Sequence, residues 1–116
     1  MRHLKKKVTL GRTSPIRKAL LKNLAESLII YEKITTTKAK ARAVKSMVEK
    51  LITQSKNNTL TTRRVLLSKL YTRNVVNKLL DQFGPRYKDR KGGYTRVTLL
   101  RNRKGDGAEE AVIEFV

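Results

Sequence analysis

Apolar side chains recur at every fourth position near the start of the chain and predict its first helix. The stripe consists of Ile16, Leu20, Leu24 and Leu28, and Leu21 widens it. Ser14 is placed to cap this helix, and Pro15 falls in its first turn, where the missing backbone N–H of proline costs nothing. Lys18 and Lys22 then occupy the opposite, polar side of the helix.

A strand and a second helix are predicted next. Between Ile30 and Thr36 the chain becomes β-branched and aromatic, which is typical of a strand. Thr37 can cap a following helix that ends near Ser55. The apolar arc of this helix consists of Val44, Met47, Val48, Leu51 and Ile52. Beside that arc runs a basic stripe, interrupted by Glu49, that consists of Lys38, Arg42, Lys45 and Lys56.

Two shorter helices complete the helical part of the chain. Asn58 or Thr59 can cap the first of them, which is predicted over Leu60 to Leu70. The second follows Thr72, and its apolar face consists of Val75, Val76, Leu79, Leu80 and Phe83. We predict that Gly84-Pro85 ends this helix, because glycine permits a left-handed cap and proline prevents continuation.

Two strands are predicted towards the carboxyl end. Residues Tyr94 to Arg101 and Ala111 to Val116 alternate between apolar and polar side chains, and residues 104–108 form a hairpin connection. The order α-β-α-α-α-β-β indicates an α+β fold, a two-layer α/β domain with helices on one face of a small three-stranded sheet. Residues 14–116 are predicted to form this single globular domain. Residues 1–13 show neither the helical nor the strand spacing of apolar residues. They are predicted to be an extended basic arm that becomes ordered when it binds a polyanion.

The charge of the chain points to the class of partner. The chain has 28 Lys and Arg against 9 Asp and Glu, a net charge of +19, and an isoelectric point near 10.8. Residues 1–25 carry Lys and Arg but no acidic side chain. Because each phosphate that is neutralised releases condensed counterions, this charge is a direct source of affinity for nucleic acid.

The residue types that most catalytic sites need are missing. The chain has no cysteine, and its single histidine, His3, lies in the arm with no carboxylate nearby in sequence. Glu109 and Glu110 would point to opposite faces of a strand and make a poor catalytic pair. No glycine-rich phosphate loop and no apolar run long enough for a membrane span is present. We therefore expect a soluble intracellular protein that is not an enzyme, with no metal, cofactor, small-molecule substrate or membrane contact.

Phosphate contact without base readout is the chemistry that remains. A basic helical stripe can follow one strand of a nucleic-acid backbone, and a basic arm can enter a groove. The tyrosines are scattered, which disfavours a stacking platform, although Tyr87 and Tyr94 flank the basic loop 86–93 and either stack on a base or pack in the core. The alternative function is a DNA-binding architectural or regulatory protein. That function requires a base-reading helix, for which residues 61–64, Thr-Thr-Arg-Arg, are the nearest pattern.

Several motifs along the whole chain resemble one family. The longest are residues 34–42, Ile-Thr-Thr-Thr-Lys-Ala-Lys-Ala-Arg, and residues 49–56, Glu-Lys-Leu-Ile-Thr-Gln-Ser-Lys. Shorter matches are Met1-Arg2-His3, Leu10-Gly11-Arg12, Gly84-Pro85-Arg86-Tyr87, Gly92-Gly93-Tyr94-Thr95-Arg96 and Gly105-Asp106-Gly107-Ala108. Together they resemble the signature of bacterial large-subunit ribosomal protein seventeen. Arg42 stands where that family usually has lysine, a change that keeps the charge and adds a planar fork for phosphate.

The resemblance implies a structural protein of the large ribosomal subunit that binds rRNA near the exit of the polypeptide tunnel. The implied partners are 23S-type large-subunit rRNA and neighbouring large-subunit proteins, without a homo-oligomer, in the bacterial cytoplasm or in an organellar ribosome. By position, rRNA contact carries over to Arg2, His3, Arg12, Lys40, Arg42 and Arg96. The charge pattern adds Lys5, Lys6, Lys7, Arg17, Lys18, Lys22, Lys38, Lys45, Arg86 and Arg90.

Some side chains have structural interpretations that the sequence leaves open. Thr36 and Thr37 either contact RNA or simply end a strand and cap a helix. Glu49 can pair with Lys45 or Lys56. The acidic strand at the carboxyl end is expected at a protein-facing or solvent edge, because phosphate would repel it.

Overall fold

The computed structural model describes residues 8–116, which form a layer of helices on a three-stranded sheet. The predicted contacts of Arg2, His3, Lys5, Lys6 and Lys7 lie outside the described residues. The helices are α1 (Ser14–Tyr31), α2 (Lys38–Ser55), α3 (Leu60–Lys69), α4 (Arg73–Lys78) and α5 (Gly84–Arg86), with a π-helical turn, Leu79–Phe83, between the last two. The strands are β1 (Lys33–Thr37), β2 (Thr95–Asn102) and β3 (Glu109–Phe115). The predicted α+β class and element order are confirmed.

Helix α1 extends further than predicted at its carboxyl end. Ile30 is helical, and the helix ends where Glu32 adopts a left-handed conformation (φ 62°) and donates its backbone N–H to the carbonyl of Leu28 at 2.7 Å. The prediction of a strand from Ile30 is therefore wrong, and β1 begins at Lys33. The unbroken helix buries Leu28 and Ile29 completely, and this burial outweighs the β propensity of the segment.

The apolar stripe of α1 winds from solvent into the core. Thr13 rather than Ser14 is the N-cap residue, and Pro15 lies in the first turn as predicted. Four residues turn an α-helix by about 400°, so the stripe drifts by about 40° at each step. Ile16 is accordingly 59% exposed, whereas Leu28 is fully buried. Only the carboxyl-terminal half of the predicted stripe reaches the core.

Helix α2 lies at the centre of the core. Its buried residues are Ala41, Val44, Val48, Leu51, Ile52 and Ser55, which confirms most of the predicted apolar arc. The helix contacts α1, α3 and all three strands. Thr37 occupies the N-cap position with extended backbone, but its side chain makes no capping hydrogen bond. Burial against two layers, rather than a cap, therefore stabilises this helix.

The pair Gly84-Pro85 does not end the fourth helical segment, contrary to prediction. Gly84 is right-handed helical (φ −54°, ψ −59°), and the helical path continues to Arg86. A Cβ atom at Gly84 would lie 2.5 Å from the backbone carbonyl oxygen of Ser55, the last residue of α2. Glycine is required because the two helical segments touch backbone to backbone, not because a left-handed cap is needed. Proline is tolerated because it stands in the first turn of α5.

Strand β3 is the central strand, antiparallel to β1 on one side and to β2 on the other. The prediction that the acidic strand lies at an edge is therefore wrong. Glu114 of β3 lies opposite both Lys33 of β1 and Arg96 of β2, at 3.8 and 3.2 Å. These flanking cations offset the carboxylate, so the strand does not need a solvent edge.

Tyr87 and Tyr94 belong to the core. Their ring centroids are 5.2 Å apart, and Phe83 and Phe115 complete the aromatic cluster. Tyr87 is 4% exposed and Tyr94 is 1% exposed, so neither ring offers a face for a base. Of the two interpretations that the sequence left open, core packing is confirmed. The Tyr87 hydroxyl also donates to the backbone carbonyl of Val116 at 2.7 Å and joins the end of β3 to the cluster.

Candidate nucleic-acid interface

Most acidic side chains of the chain have internal partners. Glu26 accepts hydrogen bonds from the backbone N–H groups of Tyr71 and Thr72, each at 2.7 Å, beside the amino end of α4. Ion pairs join Glu32 to Arg86, Glu109 to Lys38, Glu114 to Lys33 and Arg96, and both Asp106 and Glu110 to Arg103. The cations outside these pairs are the ones most readily available to an external anion.

The basic stripe predicted on α2 lies on the side of that helix next to β2 and β3. Helical periodicity places Lys38, Arg42, Lys45, Glu49 and Lys56 on one flank, called here the basic flank of α2. Near its start Lys38 pairs with Glu109 of β3 at 3.4 Å. Further along, an oxygen of Glu49 accepts a hydrogen bond from the Thr95 hydroxyl of β2 at 3.0 Å. The two contacts hold this flank against the sheet.

Arg42 and Lys45 lie between those two contacts. Arg42 is exposed and Lys45 is half-buried, and within residues 8–116 neither takes part in an ion pair or a side-chain hydrogen bond. Lys56, by contrast, donates to the carbonyl of Arg90 and lies 4.8 Å from the centroid of the Tyr94 ring. The Arg42 guanidinium and the Lys45 ammonium lie about one helical turn apart, so they can contact oxygens of successive phosphates along one strand.

Lys40 does not share a face with Arg42, although both belong to the signature run. Two residues turn a helix by about 200°, so Lys40 lies on the other flank of α2. It is half-buried there. The two signature cations therefore face different surroundings, and the structure does not bring them to one site.

Arg12 and Arg17 hold the junction between the arm and α1 through hydrogen bonds to backbone carbonyls. The Nη1 of Arg12 donates to the carbonyl of Leu10 at 2.6 Å, and the Nη1 of Arg17 donates to the carbonyl of Arg12 at 3.2 Å. Leu10 (φ 52°) and Gly11 (φ 66°) are both left-handed, so the chain turns sharply at this point. Arg17 is only 7% exposed and offers little surface to a ligand.

The two lysines predicted on α1 differ in their surroundings. Lys18 is exposed to solvent. The Lys22 ammonium lies 5.0 Å from the centroid of the Tyr71 ring, close enough for a cation–π contact. Lys18 is therefore the freer of the two for phosphate contact.

Two of the predicted contact arginines, Arg86 and Arg96, are engaged in ion pairs within the molecule, whereas Arg90 is not. Arg86 pairs with Glu32 at 2.8 Å, and Arg96 pairs with Glu114 at 3.2 Å. Arg90 has an exposed side chain, while its backbone carbonyl accepts from the Tyr94 hydroxyl at 3.1 Å. Arg86 and Arg96 would have to exchange a carboxylate for a phosphate in order to bind RNA.

The hairpin between β2 and β3 closes on an ion pair. Hydrogen bonding from Arg103 lowers the pKa of Asp106 to about 2, and the same bond raises the pKa of Arg103. The backbone N–H of Ala108 also donates to Asp106, at 3.1 Å. Arg103 thus stabilises the hairpin turn by pairing with Asp106.

Sequence reasoning missed two lysines, Lys50 and Lys69, that line an open groove of about 460 Å³ on the outer side of α2. Lys69 reaches from α3 to the side-chain oxygen of Gln54 at 3.4 Å. Gly92 and Tyr94 also line this groove. Because Lys69 comes from another helix, no spacing along α2 signals this groove.

Other kinds of site receive no support from residues 8–116. In that range no group of three or more His, Cys, Asp or Glu is placed to hold a metal ion, and no helix is long and apolar enough to cross a membrane. Arg63, of the helix considered for base readout, is half-buried and donates to the side chain of Asn77 at 2.5 Å. The arrangement suits phosphate contact rather than base recognition.

Comparisons with known proteins agree with this chemistry. The family described as "Ribosomal protein L17" matches residues 20–116. A protein of Caldanaerobacter subterraneus subsp. tengcongensis is 50% identical over 107 residues, which cover 92% of this chain and 96% of that protein. A protein of Wolinella succinogenes is 47% identical over 116 residues and covers both chains completely. Both relatives are named large ribosomal subunit protein bL17.

Proposed function

The chain belongs to the ribosomal protein L17 family, and we propose that it binds folded large-subunit rRNA through its arm and the basic flank of α2. At the coarser level, it is a structural, non-enzymatic protein of the large subunit of a bacterial-type ribosome in the cytoplasm. Association with large-subunit rRNA and with other ribosomal proteins follows from that membership.

The observation that carries the proposal is the state of Arg42 and Lys45. Their flank is held by the Lys38–Glu109 and Glu49–Thr95 contacts, yet these two cations have no partner of their own in the described part of the chain. Phosphate binding at this flank breaks no internal ion pair. It also costs little conformational entropy, because the helix that carries the two cations is already held against the sheet. Counterion release then supplies the affinity.

The arm is the second part of the proposal. We propose that residues 1–13 form an rRNA-binding segment and that residues 14–116 form the domain that carries it. The turn at Leu10 and Gly11, locked by Arg12 and Arg17, supports this division because it gives the arm a fixed base immediately before α1. Basic arms that follow a rigid element can enter crevices of folded RNA that a globular surface cannot reach.

The location on the subunit is a finer proposal. The resemblance to the family supports a position near the exit of the polypeptide tunnel, with large-subunit proteins as neighbours. The remaining predicted contacts, Lys18, Lys22, Lys38, Lys40, Arg86, Arg90 and Arg96, stay part of the proposed rRNA surface. Arg86 and Arg96 rank below Arg42 because each already holds a carboxylate.

Sedimentation through a high-salt gradient tests the proposal. The untagged protein should be followed by mass spectrometry, because Val116 is hydrogen-bonded to Tyr87 and Tyr94 and a tag there would disturb the core. We expect retention in the large-subunit fractions, since shape-matched contact persists where simple charge attraction is screened. Release into the light fractions, together with equal competition by duplex DNA and folded rRNA, would favour the DNA-binding alternative.

A further inference from the structure

The basic loop 86–93 is held at one backbone carbonyl. The carbonyl of Arg90 accepts hydrogen bonds from the Lys56 ammonium, at the carboxyl end of α2, and from the Tyr94 hydroxyl at 3.1 Å. The backbone N–H of Arg90 donates to the carbonyl of Tyr87 at 3.0 Å. Both polar groups of the Arg90 backbone are therefore engaged, although its side chain is exposed to solvent.

The two donors to this carbonyl are themselves held in place. Tyr94 is only 1% exposed, and its oxygen lies 3.3 Å from the Thr53 hydroxyl of α2. The Lys56 ammonium lies 4.8 Å from the centroid of the Tyr94 ring, close enough for a cation–π contact. A buried ring and the end of a core helix together fix the backbone of an exposed loop.

Three cations of the loop lie close in sequence to this carbonyl. Lys88, Arg90 and Lys91 are exposed, and within residues 8–116 none of their side chains takes part in an ion pair or a side-chain hydrogen bond. Asp89 is the one carboxylate among residues 88–91, so the stretch keeps an excess of positive charge. Sequence reasoning named Arg90 as a contact but neither Lys88 nor Lys91.

The loop extends the basic flank of α2. Lys56 is the last residue of that flank, and about 16 Å of helix separates it from Lys45. Because Lys56 holds the Arg90 carbonyl, the loop cations keep a fixed spacing from those of the flank. A loop with a fixed backbone also loses little conformational entropy when its side chains contact phosphates.

We propose that the basic loop is a second rRNA contact, made by Lys88, Arg90 and Lys91, and that Lys56 and Tyr94 position it. This inference rests on the proposed function and deepens it. The phosphate backbone of rRNA is the favoured ligand, because the loop continues the surface already proposed for rRNA and its cations have no internal ion pair to give up. Lys56 and Tyr94 act through the Arg90 backbone and are positioning residues.

A cycle of variants tests the loop and its positioning separately. Lys88→Ala combined with Arg90→Ala and Lys91→Ala removes the loop cations, and Tyr94→Phe removes one hydrogen bond without changing the charge. Dissociation constants for a folded large-subunit rRNA fragment are measured over a series of salt concentrations. We expect the three loop substitutions to make the slope of log K against log salt shallower by about 2 to 3. Tyr94→Phe should weaken the affinity by about threefold to tenfold at an unchanged slope, because a looser loop still reaches the phosphates but must first be ordered.

The same substitution in the chain without loop cations separates positioning from a general effect on the fold. If Tyr94 acts through the loop, Tyr94→Phe should leave the affinity unchanged in that background. An equal loss in both backgrounds would show a merely structural role and overturn the assignment. Tyr87→Phe is the matched control and should bind like the wild type, because the Tyr87 hydroxyl donates to the carbonyl of Val116 rather than to the loop. Urea denaturation confirms that each variant is folded under the binding conditions.

Substitutions of Lys56 test the second donor independently of the buried tyrosine. Lys56→Met should weaken rRNA binding in the chain with loop cations and not in the chain without them. Lys56→Arg keeps the charge and the donors and should restore the affinity. A slope that becomes shallower by about 0.9 in Lys56→Met would identify a direct phosphate contact and overturn the positioning role.

The slope of the variant without loop cations decides whether the loop binds RNA. A slope equal to that of the wild type would overturn the proposal, and it would leave the arm and the basic flank of α2 as the rRNA contacts. Failure of the wild-type chain to bind the fragment would instead contradict the proposed function. The two failures are therefore distinguishable in one series of measurements.

Discussion

One side-chain oxygen of Glu49 accepts hydrogen bonds from both the hydroxyl and the backbone N–H of Thr95, at 3.0 and 3.4 Å. The next residue back, Tyr94, accepts from the backbone N–H of Val116, so the alternation of an antiparallel ladder turns the N–H of Thr95 away from β3. Glu49 therefore satisfies a buried donor that the sheet leaves unpaired. This contact also ties the basic flank of α2 to the sheet, and it replaces the local pairing with Lys45 or Lys56 considered from the sequence.

Replacing Glu49 tests this tie. Glu49→Ala should lower the free energy of unfolding by about 1–3 kcal/mol, because Thr95 is 4% exposed and its backbone N–H would lose its acceptor. Glu49→Gln keeps an acceptor oxygen and should cost less. Urea denaturation measures both, with Lys50→Ala at the adjacent exposed position as the control. Equal losses in the alanine, glutamine and control variants would show that the hydrogen bonds do not stabilise the fold.

Gly84→Ala tests the close contact between the two helical segments. In an ordinary helix, replacing glycine by alanine stabilises the folded protein by about 0.4–1 kcal/mol. Here the new Cβ would lie 2.5 Å from the carbonyl oxygen of Ser55, so we expect a loss of about 1–3 kcal/mol. Thermal unfolding gives the sign directly. A variant as stable as the wild type would mean that the helices separate without cost.

The two core tyrosines should give opposite dependences of stability on pH. Burial raises the pKa of Tyr87 above 10.0, so its contribution is complete below that pH and is lost as the pH rises through the folded-state value. Hydrogen bonds from Lys56 and Thr53 lower the pKa of Tyr94, so its contribution is present above pH 10.0 and is lost as the pH falls through the folded-state value.

Phenylalanine variants separate these two contributions. Between about pH 8 and about pH 10.5, Tyr87→Phe should make the stability fall less steeply with rising pH than in the wild type. Tyr94→Phe should make it fall more steeply. Urea denaturation at a series of pH values measures the slopes. Changes of the same sign in both variants would contradict the assignment of the two shifts.

Shortening the arm separates its binding role from folding. Removal of residues 1–7 leaves the Arg12 and Arg17 contacts in place, whereas removal of residues 1–12 also removes the acceptor of Arg17. Both chains should unfold within about 1 kcal/mol of the wild type. Filter binding should show weaker affinity for folded rRNA and a shallower salt dependence, by about 0.9 for each contacting cation removed. Unchanged affinity in both chains would remove the arm from the interface.

Much of the fold could be predicted from the sequence because it depends on local periodicity. Most of the apolar arc of α2 and the alternation in β3 are local patterns, and they appear in the structure as predicted. Strand β2 also forms, but its side chains alternate in burial only over residues 95–98, and residues 99–102 are exposed. The role of Gly84 could not be predicted, because it depends on Ser55 in another helix. The central position of β3 was missed for a similar reason, since strand order depends on pairing between distant segments.

In the candidate interface, too, local features could be predicted and contacts between distant segments could not. Periodicity alone predicted that Lys38, Arg42 and Lys45 share one flank of α2. It could not tell which of these cations find a partner among the described residues, because the partner of Lys38 is Glu109, more than half the chain away. The resemblance grouped Lys40 with Arg42, but helix geometry separates them.

The salt dependence of rRNA binding tests the central claim most directly. Arg42→Ala combined with Lys45→Ala removes the two cations of the basic flank that have no ion pair or side-chain hydrogen bond within residues 8–116, and Arg64→Ala combined with Arg73→Ala removes two exposed cations elsewhere. Dissociation constants for a folded large-subunit rRNA fragment are measured over a series of salt concentrations. We predict that the slope of log K against log salt becomes shallower by about 1.5 to 2 for the first pair and stays near the wild-type value for the second. A slope for the Arg42 and Lys45 variant parallel to that of the wild type would contradict the account.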